Sequence, residues 1–192
     1  MKKNLDLVIL AAGKSSRFGS LKGFAKIKGS TLLESAITLH QQNFTGKTIV
    51  VYSSDSREYK IKLAHKYPEV LFLENPSPEL GPFSSLKIGL KATTSSGIFI
   101  LPVDCPCRDL TTWLKLAAHS HEFSLCIKPS ILGKGGHPII ISEGLKQIIK
   151  NATASDNLKN ILHNLDLKQI EYVEVNDFDI LKNINTPEDL LS

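Results

Sequence analysis

The 192-residue chain is poor in several respects, and each scarcity removes a class of protein. It has three cysteines, Cys105, Cys107 and Cys126. An odd, sparse set excludes a disulfide framework and suits a reducing compartment. Cys105 and Cys107 are too few and wrongly spaced for a zinc site, and are expected to pack beside a functional carboxylate. Long apolar runs are missing too. The stretch after Met1-Lys2-Lys3 is interrupted by Asp6 and ended by Gly13-Lys14, which fits neither a secretory leader nor a membrane span. Strong charge is absent: 23 basic and 19 acidic residues leave a dispersed net charge of +4. The densest basic group, Arg57, Lys60, Lys62 and Lys66, falls on a predicted helix and reads as a solvated face, so neither nucleic acid nor membrane is an expected partner. No linker, repeat or low-complexity segment interrupts the chain. These absences leave one expected domain, residues 1–192, with enough chain for a sizeable core and a cytoplasmic location.

What is present is alternation. Leu5–Ala12 is a near-continuous apolar strand of the kind buried on both faces of a parallel sheet. Ser30-Thr31-Leu32-Leu33-Glu34 is an N-cap signature opening a helix to Gln42. Lys47–Tyr52 and Val70–Leu73 read as strands around a helix at Ser56–Tyr67, with Ile61 and Ala64 facing in. Ser84–Thr93 is a helix carrying Leu86 and Leu90 at i, i+4, Gly97–Val103 a strand, and Leu110–Ser120 a helix. Phe123–Lys128 and Pro138–Ile141 are strands whose link is too short for a crossover helix, so antiparallel pairing is expected there. Helices at Glu143–Lys150 and Asp156–Asn164, a strand at Glu171–Val175 and a closing helix from Thr186-Pro187 complete the pattern. The implied fold is α/β, a three-layer α/β/α sandwich around a mostly parallel, Rossmann-like sheet with some antiparallel pairing in its C-terminal half. Ligands of such sheets bind outside the carboxyl ends of the strands.

The first strand ends there in a glycine loop, Leu10-Ala11-Ala12-Gly13-Lys14-Ser15-Ser16-Arg17-Phe18-Gly19-Ser20-Leu21-Lys22. Small residues let backbone approach a ligand, free N–H groups make an anion concavity, and Arg17 and Lys22 add positive charge where phosphate would sit. Phe18 stands where a Walker A loop needs glycine, and Ser15 where the dinucleotide fingerprint needs its second one. A solvated serine- and glycine-rich turn is the plainer alternative.

What remains, L-A-A-G-x-S-x-R-x-G-x-x-K after an N-terminal strand, resembles the signature of nucleotidyltransferases with the nucleotide-diphospho-sugar transferase fold. Its motif is most similar to the MobA-like molybdenum-cofactor cytidylyltransferases and guanylyltransferases. In Gly97–Pro106 a buried strand ends at Asp104, a carboxylate that needs a partner. A hard divalent cation would serve, and so would a helix N-terminus. The resemblance implies Mg²⁺ held by Asp104. Asn75–Leu90 resembles the base-recognition segment. Its Ser84-Ser85-Leu86-Lys87-Ile88-Gly89-Leu90 matches the cytidylyl version, whereas Gly81-Pro82 leans toward the guanylyl one. Leu10-Ala11-Ala12-Gly13 carries alanine where guanylyl enzymes usually have a further glycine. Leu10, Ala11, Ala12, Gly13, Lys22, Asn75, Gly81, Ser84 and Ser85 are therefore the expected nucleotide contacts.

Gly135-Gly136-His137-Pro138 resembles the G-H-P segment of the acceptor side. With Asp156, Lys159 and Asn183, His137 makes the expected acceptor site. His119 and His121 are two apart on a predicted helix and do not face one ligand. Asn183-Ile184-Asn185-Thr186-Pro187-Glu188-Asp189 resembles a D-I-D-T-P-E-D ending. Asn185 stands where a second metal contact would lie, and asparagines replace both acids. Ala154-Ser155-Asp156-Asn157-Leu158-Lys159 departs further from G-D-x-G-A-R: Asp156 survives, Lys159 replaces the arginine, and the glycines are gone. Lys26 also replaces a common proline.

The resemblance covers essentially the whole chain, with five motifs in order. It implies nucleotidyl transfer, with CTP as donor and molybdopterin as the first acceptor to expect, and with a molybdoenzyme or chaperone as a possible partner protein. The alternatives are guanylyl transfer to the same cofactor, transfer to another phosphorylated small molecule, and a nucleotide-binding regulatory module that has lost catalysis. In the enzyme reading Arg17, Lys22 and Asp104 carry the catalysis, by positioning and by charge stabilisation.

Overall fold

A computed structural model describes residues 1–13, 26–27, 29–120, 124–153, 155–184, 186 and 189. Arg17, Lys22, His121 and Asn185 lie outside the described residues, as does most of the expected closing helix. In chain order, β1 (Asp6–Ala11) precedes a small ribbon of β2 (Lys26–Ile27) and β3 (Ser30–Thr31). Next come α1 (Leu32–Asn43), β4 (Thr48–Tyr52), α2 (Arg57–Lys66), β5 (Leu71–Glu74), α3 (Pro82–Ala92), β6 (Gly97–Pro102) and α4 (Leu110–Ala118). The C-terminal part holds β7 (Cys126–Ile131), β8 (Lys134–Gly135), β9 (Ile139–Ser142), α5 (Glu143–Asn151), α6 (Leu158–His163) and β10 (Ile170–Glu174).

The large sheet runs β10-β7-β9-β6-β1-β4-β5, with β8 paired to β7. β1 pairs in parallel with both β4 and β6, β4 with β5, and β7 with β10. β9 is antiparallel to both neighbours, which makes the expected mixture real. Because β9 runs backwards, its first residues, and the His137-Pro138 that precedes them, arrive at the edge where the parallel strands end.

The sheet separates two cores. On one face Leu7 and Ile9 join Leu33, Ile37, Leu63, Phe99 and Trp113, under α1, α2 and α4. On the other, Val8 joins Leu86, Leu90, Ile98, Ile139, Leu145 and Ile149, under α3 and α5. This alternation from a strand buried on both faces is the reason β1 reads as a continuous apolar run. Thr31 and Glu34 close a reciprocal capping box, each donating a backbone N–H to the other's side chain at 3.1 Å, which starts α1. Gly89 brings α3 close to the sheet: a Cβ there would sit 2.4 Å from Cγ1 of Val8.

Several boundaries differ from expectation. Ile61 is 53% exposed on α2, and Leu63 faces the core in its place, with Ala64 half-buried. α2 is so polar that its single inward position is set by packing on Val50 and Leu33 rather than by periodicity. α3 starts at Pro82, not Ser84, because Gly81 turns the chain at φ 85°, where a side chain would be strained. β7 starts at Cys126; residue 123, the expected start, is outside the described set. α6 starts at Leu158 behind an Asn157 cap, which leaves Asp156 in the preceding loop. A short 3₁₀ turn at Phe178–Leu181 was not expected. No helix among the described residues is long and apolar enough to cross a membrane.

Candidate active site at the carboxyl edge of the sheet

β1 and β6 are neighbours, so their ends deliver Ala12-Gly13 and Asp104 to the same place. Val103 N–H donates to the Leu10 carbonyl at 3.1 Å and extends that pairing past the strand. A cavity of about 670 Å³ opens there, lined by Leu10, Ala12, Gly13, Pro78, Glu79, Gly81, Pro82, Ser85, Pro102, Asp104 and Asn183. Gly13 and Gly81 carry no side chain into it, and a Cβ on either would meet nothing within 4 Å.

Asp104 is half-buried and does not cap α4; Asp109 does, accepting from the amides of Thr111 and Thr112 at 3.1 Å. The N-cap alternative for Asp104 is thereby removed. The Asp104 carbonyl accepts the Ile184 amide at 2.8 Å, which folds the C-terminal segment against the strand end and brings Asn183 into the cavity. Asn183 thus belongs with Asp104 and not with the acceptor residues where sequence put it. No group of three or more His, Cys, Asp or Glu that could hold a metal occurs among the described residues. Mg²⁺ needs none, because it takes one or two carboxylates, waters and substrate phosphate. The carboxylate of Asp104 and the amide oxygen of Asn183 are hard donors that could hold it.

Of the other expected nucleotide residues, Ser85 borders the cavity, and Asn75, Ser84 and Ala11 do not. Ala11 faces the opposite side of β1, with Leu33, Val50 and Leu63. Asn75 is 1% exposed, and its amide is consumed inside the protein. Its Nδ2 donates to Ser84 Oγ and Ser85 Oγ, both at 2.9 Å, and its Oδ1 accepts the Ser77 amide at 2.9 Å. Ser84 Oγ in turn donates to the Gly81 carbonyl at 2.7 Å.

A second cavity, of about 450 Å³, shares Leu10, Pro82 and Pro102 with the first. Leu80, Phe83, Leu86, Ile100 and Leu158 extend its apolar wall, and His137, Ser155, Asp156, Asn157 and Lys159 give it a polar rim. The structure brings His137, Asp156 and Lys159, which sequence grouped, to one cavity, and adds a wall whose residues are scattered along the chain and carried no signal there. The His137 imidazole is pushed down to about 4 by burial and then by the charge of Lys128, so it is neutral near pH 7. Its Nδ1 is buried without a partner among the described residues. The Asp156 carboxyl is held below its ordinary range by the hydroxyl and amide of Thr153. Lys87 Nζ reaches across from α3 to the Ala152 carbonyl at 2.5 Å and ties the two walls together.

Cys105 and Cys107 are buried beside this edge, Cys107 Sγ lying 3.2 Å from Asp177 Oδ2. Burial pushes the Cys105 thiol up to about 12 and Cys107 higher still, which makes both poor nucleophiles. His119 lies elsewhere, paired with Glu171 at 2.6 Å. The cavity lined by Leu5, Ser96, Gly97, Ser120 and Ser142 opens at the opposite edge and holds none of the expected site residues.

Comparison with known proteins adds the chemistry. A model of the MobA-like NTP transferase domain matches residues 7–170. The molybdenum cofactor cytidylyltransferase of Escherichia coli (strain K12) is 26% identical over 188 residues, covering 98% of this chain and 94% of that protein. The probable molybdenum cofactor guanylyltransferase of Geobacillus sp. (strain WCH70) is 29% identical over 189 residues, covering 95% and 94%. Among solved structures, a nucleotidyl transferase from Methanothermobacter thermautotroptrophicus superposes with a TM-score of 0.78 at 20% identity, covering 98% of this chain and 94% of that one.

Proposed function

The chain belongs to the MobA-like NTP transferase family and is a nucleotidyltransferase; from that premise we propose that it transfers CMP from CTP to molybdopterin with Mg²⁺. The observation that carries this reading is the pair of cavities meeting along Leu10, Pro82 and Pro102. One has Ala12, Gly13 and Asp104. The other has an apolar wall and a polar rim, suited to a flat heterocycle that carries a phosphate.

The acceptor phosphate oxygen forms a bond to the α-phosphorus of CTP, and the bond from that phosphorus to the bridging oxygen of pyrophosphate breaks. No general base is needed, because the attacking phosphate is already ionised. Gly13 lets the nucleotide approach the backbone. Ala12 fills with a methyl group the space that a larger base would use, and Ser85 meets the base edge. Arg17 and Lys22, assigned from sequence, neutralise the triphosphate and the leaving pyrophosphate. Asp104, with Asn183 beside it, would hold Mg²⁺, which when bound supplies Lewis-acid charge and a template at the phosphates. Asp156 and Lys159 position the acceptor, and His137, neutral, borders its site without adding charge.

Guanylyl transfer is the second reading. Gly81-Pro82 favours it, and one relative carries that activity in its name. The test is pyrophosphate release from CTP, GTP, UTP and ATP against molybdopterin and against phosphorylated sugars, polyols and amino alcohols. CTP with molybdopterin should lead. GTP used equally well would overturn the base assignment and leave the reaction class standing. Release with other acceptors only would overturn molybdopterin.

A further inference from the structure

Asn75 stands at the end of β5 in the segment assigned to the base, yet it is 1% exposed and borders neither cavity. Its hydrogen bonds suggest a different task. A serine hydroxyl has one hydrogen to give and lone pairs to receive with, and it rotates freely unless its neighbours decide for it. Both hydrogens of the Asn75 amide are given, one to Ser84 Oγ and one to Ser85 Oγ. The identity of the amide end is fixed independently, because the other end accepts the Ser77 N–H and so must be the oxygen.

The two serines then differ. Ser84 passes its hydrogen to the Gly81 carbonyl at 2.7 Å, so it both receives and gives inside the loop. Ser85 receives from Asn75, and among the described residues its own hydrogen has no acceptor, while the residue, 3% exposed, borders the cavity that holds Gly13 and Asp104. A hydroxyl whose lone pair is engaged from behind has its hydrogen directed forward. We propose that Asn75 is a positioning residue for base selection: it fixes Ser85 as a hydrogen-bond donor toward the nucleotide, so the pocket reads an acceptor atom on the base.

The inference rests on the reading that this cavity takes the base of CTP, and it deepens that reading. Cytosine presents a ring nitrogen and a carbonyl oxygen as acceptors, and either suits a donating Ser85. Asn75→Asp is the diagnostic substitution. It keeps the size of the side chain and the acceptor for Ser77 N–H but replaces the donor by an acceptor. Ser85 would then turn its hydrogen back to the new carboxylate and present a lone pair to the base.

The experiment is a double-mutant cycle on CTP binding by calorimetry, with inorganic tripolyphosphate as a second probe and circular dichroism to confirm folding. Asn75→Asp and Ser85→Ala should each weaken CTP roughly tenfold or more, the value of one lost hydrogen bond, and leave tripolyphosphate unchanged. Asn75→Asp in the Ser85→Ala background should cost little further, because Asn75 acts through that hydroxyl. Should Asn75→Asp fail to fold, Asn75→Ser takes its place in the same cycle with the same expectation. Losses that add in the double variant, or equal losses for CTP and tripolyphosphate, would overturn the inference and leave the base assignment intact. A folded parent that does not bind CTP would overturn the base assignment and the inference with it.

Discussion

Asp6 opens β1 and Asp104 follows β6, its parallel neighbour, so the two carboxylates mark opposite edges of one strand pair. Asp6 is fully buried, and four donors converge on it: the amides of Lys47 at 2.7 Å, Thr94 at 2.6 Å and Ser95 at 2.9 Å, and the Ser95 hydroxyl at 2.8 Å. An ionised carboxylate has about four acceptor sites, and all are in use. Burial alone would raise its pKa, but those bonds hold the group below the ordinary range. Asp104 is half-buried and borders a cavity of about 670 Å³. A carboxylate surrounded by the protein's own donors fastens strands together, while one set beside a void can serve a ligand.

The comparison breaks first at Asp6. Asp6→Ala would take the acceptor from the buried amide and hydroxyl of Ser95 and from the part-buried amides of Lys47 and Thr94, so a loss of about 3 kcal/mol is expected from urea unfolding. A variant within 1 kcal/mol of its parent would show that Asp6 fastens nothing. Asp104→Asn should do the reverse, keeping the unfolding midpoint while pyrophosphate release falls by about 10²–10³. Near-parental turnover in a folded Asp104→Asn protein would remove Asp104 from the chemistry.

The amino edge also carries the third expectation. His40 is fully buried between the Leu5 carbonyl and Thr48 Oγ1, each at 2.8 Å, and desolvation pushes it down to about 4 despite the favourable carbonyl and nearby Asp6. Unfolded histidine titrates near 6.5, so as pH falls below that value the unfolded chain takes up the proton first. Stability is therefore whole above about pH 6.5 and falls toward pH 4, by up to about 3 kcal/mol from His40. His137, at the other edge and also pushed down to about 4, adds in the same direction. Urea midpoints from pH 7.5 to 4.5 should fall for the parent and less steeply for His40→Gln; parallel slopes would clear His40 of the effect. The smallest effect sharpens the contrast: Ser95→Ala removes one of Asp6's four bonds and should cost about 1 kcal/mol, with pyrophosphate release unchanged. A drop in rate would mean that the edges are coupled.

Much of this layout was written locally. β1 and β6 announce themselves because burial on both faces demands an unbroken apolar run, and Gly13 and Asp104 stand directly at their ends. The capping box at Thr31 and Glu34 is likewise a short-range device. Other features depend on partners far along the chain. Asp6 looked like a mere interruption of an apolar run, since the amides it holds lie 41, 88 and 89 residues away. Asn183 was grouped with the acceptor because the Ile184–Asp104 pairing that redirects it leaves no local trace. Asn75, Ser84 and Ser85 are all polar and adjacent to the site, and composition cannot tell which hydroxyl ends up facing the cavity. Gly81's turn and the direction of three hydrogen bonds decide it.

The wall of Leu10, Pro82 and Pro102 has a consequence for fidelity. On the proposed reading, the α-phosphorus is attacked where the two cavities meet. There an intruding water competes with the acceptor and would turn transfer into wasteful hydrolysis. Apolar side chains offer such a water no hydrogen-bond partners, so it is poorly held in line for attack. The acceptor, gripped at its polar rim, is held there. A seam of apolar side chains thus acts as a filter on the nucleophile, and on that reading it protects the nucleotide during the interval before the acceptor arrives.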